Sequence, residues 1–256
     1  MGYLARRRSS RVPKQHQVFQ VFLPAVVKSR SPATEGDFNL HKSNSTYITD
    51  LDVSRAHLSG LLFAPVLLSF KHSTHCNLIV SAIACTFHRE IKPYQPYELW
   101  TRVASWDDKW IYMVTHFVDN SKSRPRCLVM QADATINSKK TKWPAPHKKE
   151  RHKDVFASAV TRMVFKKGSL TVPPQRAFEI CGLLSASQTP TAASHTIITT
   201  EASESANSCH ERILGGIVSY KETNLPIVRL ERGWDAVREL FCEEQLVLTE
   251  YRDFMW

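Results

Sequence analysis

The segment from Asp37 to Tyr47 holds the densest group of side chains that can do chemistry. It reads DFNLHKSNSTY and places Asp37, His41 and Asn44 just before a predicted helix. The first turn of a helix presents free backbone N–H groups, which can polarise a carbonyl oxygen. A neighbouring carboxylate can then attack that carbonyl or activate a water molecule. The same residue types also serve as helix caps and loop residues, so their spacing alone leaves both interpretations open.

Other kinds of site find little support in the sequence. His88, His116 and His147 have no histidine partner four residues away, which argues against a metal site. The chain has no GxSxG nucleophile elbow and no glycine-rich phosphate loop. Its 6 cysteines are irregularly spaced without a CxxC pair, so we expect reduced thiols and no zinc cluster. We therefore expect no metal and no other cofactor.

The net charge of +10 is concentrated in two segments. Residues 1–34 contain seven Lys or Arg and no acid, and residues 139–153 contain seven with one Glu, which leaves about −3 for the remainder. A nucleic-acid-binding domain is expected to spread its basic residues over one folded face. The distribution predicts solvated basic segments and no nucleic-acid partner.

The apolar segments are too short for a membrane span. The longest, residues 58–70, is interrupted by polar residues and falls short of the ~20 residues that a spanning helix needs. No long apolar segment follows the basic N-terminus, so no secretory signal is visible. We expect a soluble cytoplasmic protein.

A helix is predicted directly after the Asp37 segment. Four apolar residues recur at intervals that place them on one helical face: Tyr47, Leu51, Leu58 and Leu62. Three short polar residues are N-cap candidates: Ser43, Asn44 and Ser45. Pro65 argues against an unbroken continuation of this helix.

Strands are predicted on both sides of this helix. Residues 17–31 predict a first strand interrupted at Pro24. Residues 76–91 are apolar on both faces, as in a central buried strand. Residues 97–106 and 110–118 flank a short polar turn and predict a hairpin.

The remaining chain is less regular. Two segments compete for a fifth strand, 126–136 and 155–165, and periodicity does not choose between them. Residues 168–184 predict a turn and a short helix, and the Ser/Thr-rich residues 185–209 predict a flexible linker. Residues 231–248 predict a helix with four residues on one face: Trp234, Val237, Leu240 and Phe241.

The Asp-x-x-x-His loop, the helix and the antiparallel strands together resemble a hot-dog-fold thioesterase. The family pattern has an acidic pair, then His, Asn and Tyr, then an Arg within the helix. The matching residues here are Glu35, Asp37, His41, Asn44, Tyr47 and Arg55. Leu40 replaces the Gly usual before the His, and Ser43 replaces the first of two Asn.

Three longer stretches carry a narrower resemblance, to thioesterases of fungal secondary-metabolite clusters of the leucinostatin type. They are DFNLHKSNSTYITDLDVSRAHL, REIKPYQPYELWTRVASWDDKWIYMVTHFV and VFKKGSLTVPP. The resemblance covers roughly residues 18–184 and the ERGW motif at 231–234. It favours 155–165 as the fifth strand, which makes 121–153 a basic insertion.

The resemblance implies an α+β hot-dog fold, in which an antiparallel sheet wraps a central helix over residues 45–62. Together with composition and charge, it predicts five parts: a basic flexible tail (1–17), the hot-dog domain (18–184), its insertion (121–153), a linker (185–212) and a C-terminal helical extension (213–256). Because hot-dog domains pair their sheets and strand 76–91 is apolar on both faces, we expect a homodimer or higher oligomer.

The resemblance also implies hydrolysis of an acyl thioester, carried on coenzyme A or on an acyl carrier protein of a polyketide synthase. Asp37 is then the nucleophile or general base, with His41 beside it as the second catalytic residue, which positions the loop or the substrate. Asn44, Tyr47 and Arg55 are then the substrate-binding residues. The alternative is a non-catalytic acyl-binding or scaffolding protein of the same fold.

Overall fold

The computed structural model describes six stretches of the chain: residues 18–68, 75–120, 127–128, 154–184, 202–241 and 246–252. The predicted basic tail, almost all of the predicted insertion and the first part of the predicted linker lie outside these stretches.

Four α-helices occur within these stretches: α1 (Asn44–Leu67), α2 (Pro174–Ile180), α3 (Ala202–Val228) and α4 (Gly233–Glu239). The main sheet contains β1 (Ala25–Arg30), β2 (Asn77–Phe87), β3 (Pro96–Trp106), β4 (Ile111–Asp119), β6 (Val155–Lys167), β7 (Leu170–Val172) and β9 (Thr249–Arg252). A separate pair consists of β5 (Cys127–Leu128) and β8 (Leu246–Val247).

The strands of the main sheet follow the order β2-β6-β4-β3-β1-β9, and β7 pairs with β6. All of these pairings are antiparallel except that of β1 with β9. Helix α1 packs on one face of this sheet, where Tyr47 meets Phe117 of β4 with ring centroids 4.8 Å apart. This is the α+β hot-dog arrangement that the resemblance implies.

Helix α1 buries the face that its periodicity predicts. Tyr47, Leu51, Leu58 and Leu62 are all buried. The helix runs to Leu67 despite Pro65, so the predicted break is wrong. Pro65 removes one N–H donor and crowds the carbonyl four residues before it, and the helix ends two residues later.

The predicted first strand is only half correct. Residues Val18–Phe22 form a 3₁₀ helix, and β1 begins at Ala25, directly after Pro24. Proline cannot donate a ladder hydrogen bond, so the strand starts beyond it. The hairpin of β3 and β4 is confirmed, and β6 matches the 155–165 alternative for the fifth strand.

Strand β2 is the clearest correction. Among the described strands it pairs with β6 alone and lies at the edge of the sheet, whereas the apolar residues 76–91 predicted a central buried strand. Ile79, Val80 and Phe87 are exposed. The apolar content of a strand predicts that its side chains become buried. It does not reveal whether the same chain or another molecule buries them.

The C-terminal region also departs from the prediction. Helix α3 begins at Ala202, inside the predicted linker 185–212, although residues 202–212 contain three Ser and show no apolar period. The helix predicted over 231–248 is limited to α4. The extension 213–256 is not helical throughout, since it ends in β8 and β9, where Val247 and Thr249 favour strand.

Helices α3 and α4 cover the face of the sheet opposite α1. Ile227 and Val237 pack in one cluster with Val114 of β4 and Val160 of β6. Both faces of the central strands are therefore buried by the chain itself. Within the described stretches, every helix is too short or too polar to span a lipid bilayer.

Phe63→Ala tests the packing of α1. The ring is 0% exposed and lies with its centroid 5.2 Å from Phe165 and 5.5 Å from Phe178. Its removal should lower the free energy of unfolding by about 3–5 kcal/mol, measured by chemical denaturation. Val53→Ala on the same helix, where the side chain is 47% exposed, should change it by less than about 1 kcal/mol. Equal losses would contradict the described burial.

Candidate active site

The loop of residues 35–43, called the Asp37 loop below, is closed by its own main chain. Ser43 N donates to Glu35 O at 2.8 Å, and Asp37 N donates to His41 O at 2.8 Å. Leu40 N donates to Asp37 O at 3.0 Å, which completes a tight turn. These hydrogen bonds fix the backbone conformation of the loop up to the start of α1.

The Asp37 carboxylate is held on one side only. Its Oδ1 atom accepts hydrogen bonds from Asn39 N at 2.9 Å and from His41 N at 3.3 Å. In the part of the chain that the structure describes, Oδ2 accepts no hydrogen bond. The group is therefore oriented by the backbone and keeps one oxygen free for chemistry.

Leu40 adopts a left-handed backbone conformation, with φ of 59°. This is the position where the family pattern has Gly, which adopts positive φ without steric cost. The turn is retained here with a leucine, so the replacement does not abolish the loop geometry. Phe38 and Leu40 are 93% and 73% exposed and give the loop an apolar tip beside Asp37.

The N-terminus of α1 lacks a side-chain cap. Ser43 is the N-cap residue, but its side chain makes no capping bond, and its Oγ lies 3.0 Å from Ser45 Oγ. Asn44 is the first helical residue and is exposed. Thr46 N donates to Ser43 O at 3.0 Å. Among the described residues, the first-turn N–H groups of Asn44 and Ser45 thus keep their capacity to bind a partial negative charge.

His41 is oriented by a residue that the sequence analysis missed. Its Nε2 atom lies 3.0 Å from Glu90 Oε2, and both side chains are partly exposed. Glu90 follows β2, far from the Asp37 loop in sequence, and no spacing signal connects the two. Among the described residues, no three of the His, Cys, Asp and Glu side chains are grouped to hold a metal ion.

Tyr47 lies in the core beneath the loop. Its ring is buried between Phe87 and Phe117, with centroid distances of 5.0 and 4.8 Å. Burial raises the pKa of Tyr47, so its hydroxyl stays neutral near pH 7. Its observed contacts support the first turn of α1.

Arg55 lies far from Asp37 along α1. It is 11 residues beyond Asn44, a rise of about 16 Å. The guanidinium is buried, donates from Nη1 to Thr161 Oγ1 at 3.1 Å and pairs with Asp52. Burial lowers the pKa of Arg55, although Asp52 opposes this effect. Of the predicted site residues, Asp37, His41 and Asn44 therefore share one loop and helix start, whereas Tyr47 and Arg55 contact the sheet.

A buried ionic cluster lies behind the Asp37 loop and was also missed. Lys42 Nζ contacts Glu35 Oε2 and lies 3.1 Å from Asp50 Oδ2 of α1. Tyr97 Oη of β3 donates to the same Asp50 oxygen at 2.6 Å. Burial is the largest influence on the pKa of Asp50 and raises it, although Lys42 and Tyr97 oppose it.

Comparison with known proteins gives a consistent set of relatives. A family model described as the Thioesterase-like superfamily matches residues 32–168, just over half of the chain. The chain is 36% identical over 174 residues to the probable thioesterase atnL of Emericella nidulans, which covers 62% of this chain and 53% of that protein. It is 38% identical over 174 residues to thioesterase poxG of Penicillium oxalicum, which covers 64% and 55%.

The chain thus spans about half the length of these curated relatives. Among solved structures, it is similar to the probable thioesterase YbaW of Escherichia coli, with a TM-score of 0.41 and 10% identity. That similarity covers 62% of this chain and 96% of the other.

Leu40→Gly tests the strain in the Asp37 loop. The left-handed conformation costs an L-residue about 1–2 kcal/mol, and glycine loses about 0.5–1 kcal/mol more on ordering. The free energy of unfolding should therefore stay unchanged or rise by up to about 1.5 kcal/mol in a denaturant titration. Leu170→Gly, at an exposed position of strand β7, should instead lower it by about 1 kcal/mol. A similar loss at both positions would show that Leu40 is not strained.

Proposed function

Because this chain belongs to the thioesterase-like superfamily, we propose that it hydrolyses an acyl thioester. The observation that carries the proposal is the Asp37 carboxylate, with Oδ1 held by two backbone N–H groups and Oδ2 free, ahead of an uncapped helix N-terminus. The pairing supplies a base or nucleophile and an electrostatic partner for a developing oxyanion.

Asp37 can promote thioester hydrolysis by two mechanisms. As a general base, Asp37 takes a proton from water, the hydroxide adds to the thioester carbon, and the thiolate leaves and recovers the proton. As a nucleophile, Asp37 displaces the thiolate to form a mixed anhydride, which water then hydrolyses to the free acid. In both routes the first-turn N–H groups of α1 stabilise the tetrahedral oxyanion.

The other predicted residues divide by position. His41, held by Glu90, and Asn44, exposed at the start of α1, are proposed to orient the substrate next to Asp37. Tyr47 and Arg55 were predicted to bind substrate; their buried contacts support the narrower proposal that they hold α1 in place behind the site.

The substrate is proposed to be an acyl group on coenzyme A or on an acyl carrier protein, in fungal secondary metabolism. The apolar tip formed by Phe38 and Leu40 supports this, since it offers a contact for an acyl chain beside Asp37. The names of the fungal relatives, which are thioesterases, support the thioester bond in this proposal.

A non-catalytic acyl-binding or scaffolding role is the second candidate. One observation favours it: the same Oδ1 contacts that orient Asp37 also form a turn in which the carboxylate has a structural use. The two candidates differ in what happens when the charge of Asp37 is removed.

The edge position of β2 supports a homodimer. Among the described strands, β2 pairs on one side alone, and its open edge with exposed Ile79, Val80 and Phe87 is a template for another strand. We propose that β2 pairs with β2 of a second copy, whose side chains then lie beside the exposed apolar residues of this strand.

Asp37→Asn separates hydrolysis from binding. Asparagine keeps the size of the side chain and the oxygen that accepts the two N–H bonds, but it removes the charge and the base. Turnover of an acyl-CoA panel, followed as free thiol, should fall by at least ~100-fold, with the thermal midpoint little changed. His41→Ala should lower turnover less, because positioning is easier to replace than the attacking group.

Asp108→Asn, at an exposed position of the β3–β4 turn, is the matched control and should retain the full rate. A wild-type rate in Asp37→Asn would exclude the proposed mechanism and leave the binding role.

Ile79→Lys tests the assembly. A lysine on the exposed edge strand places like charges together when two β2 strands pair, so sedimentation should shift from dimer to monomer at micromolar concentration. Val218→Lys, at an exposed position of α3, should leave the dimer intact. A stable wild-type monomer of 29.2 kDa would contradict the proposed pairing.

A further inference from the structure

We propose that Lys42 is a positioning residue for the reaction, because its buried ammonium joins the Asp37 loop to helix α1. This inference rests on the hydrolytic function proposed above. It concerns a residue that neither the family pattern nor the sequence analysis singled out.

The Lys42 side chain is 0% exposed, an unusual position for a lysine. Its ammonium lies between two carboxylates, Glu35 of the loop and Asp50 of α1, the latter at 3.1 Å. The rings of Tyr47 and Tyr97 complete the surroundings, with centroids 5.6 and 5.4 Å from Nζ. A buried cation with two anionic partners has little freedom to move.

The same residue is also fixed through its main chain. Lys42 N donates to Ile91 O at 2.9 Å, and Lys42 forms a bridge with Gly36 across the loop. The far end of the ionic contact is rigid as well, since Asp50 accepts the Tyr97 hydroxyl from β3 at 2.6 Å. Lys42 therefore connects the loop, the segment after β2, helix α1 and the sheet.

Its neighbours in sequence connect to the Asp37 carboxylate and to the start of α1. On one side, His41 N donates to Asp37 Oδ1. On the other side, Ser43 is the N-cap of α1. Moving the Lys42 side chain therefore shifts the carboxylate relative to the helix N–H groups, and a displacement of ~1 Å between reacting groups can cost ~100-fold in rate.

The test must separate positioning from stability. Lys42→Met alone leaves the half-buried Glu35 and Asp50 carboxylates without their cation, and this destabilises the fold. The informative variant is therefore the triple change Lys42→Met, Glu35→Gln and Asp50→Asn, which removes all three charges at nearly constant volume. We expect its thermal midpoint to recover most of the loss seen in Lys42→Met.

In the triple variant, kcat for an acyl-CoA should fall at least ~10-fold with KM within ~3-fold, because binding is kept and alignment is lost. Amide hydrogen exchange at Asn39 and His41 should become faster, since their N–H groups bond to Asp37. Should the triple variant fail to fold, Asp50→Asn keeps the Lys42–Glu35 contact and should show a smaller kcat loss of ~3-fold or more.

The matched control removes a comparable ionic group on the same sheet. Lys28 of β1 contacts Glu98 of β3 and Glu250 of β9 at 3.9 and 2.6 Å. Lys28→Met with Glu98→Gln and Glu250→Gln should alter the thermal midpoint but leave kcat and the loop amides unchanged.

A folded triple variant with wild-type kcat, or with an effect on KM alone, would overturn the proposal. If the wild type hydrolyses none of the acyl-CoAs, the hydrolytic proposal fails. Amide hydrogen exchange alone then tests whether Lys42 positions the Asp37 loop. Unchanged exchange at Asn39 and His41 would then show that Lys42 does not hold the Asp37 carboxylate.

Discussion

The burial of one face of α1 against the sheet is the constraint on which the rest of the structure depends. Its polar contacts are directional: Ser54 Oγ lies 2.6 Å from Thr101 Oγ1, which lies 2.9 Å from Thr115 Oγ1, and Arg55 donates to Thr161. Since buried polar groups must keep their partners, these contacts define the rotation and depth of the helix over the sheet. These contacts therefore also fix where the N-terminus of α1 lies relative to the sheet. The loop that carries Asp37 is fixed with it.

What the sequence predicts well is local. The face of α1 follows from a 3.6-residue period, and the β3–β4 hairpin follows from two apolar runs around a short polar turn. The edge position of β2 and the parallel pairing of β9 with β1 depend on which distant strands meet, and no periodicity reports that. The first part of helix α3, residues 202–212, was assigned to the linker because this Ser-rich segment has no apolar period.

The same division holds at the site. Asp37, His41 and Asn44 are close in sequence and in space, so a linear pattern finds them. Glu90 and Asp50 are different, because each acts through a partner brought to it by the fold: His41 for Glu90 and Lys42 for Asp50. From the sequence, a lysine in a loop is expected to be solvated. The structure instead surrounds Lys42 with two carboxylates and two aromatic rings.

The pairing of β9 with β1 has a consequence for polymerisation. A sheet with two open edges can grow without limit, as in fibrils. Here β9 covers β1 and is itself a short strand of four residues with Glu250 and Arg252, features that make an edge a poor template. Among the described strands, β9 thus closes the side of the sheet opposite β2 with an edge that disfavours the addition of a further strand.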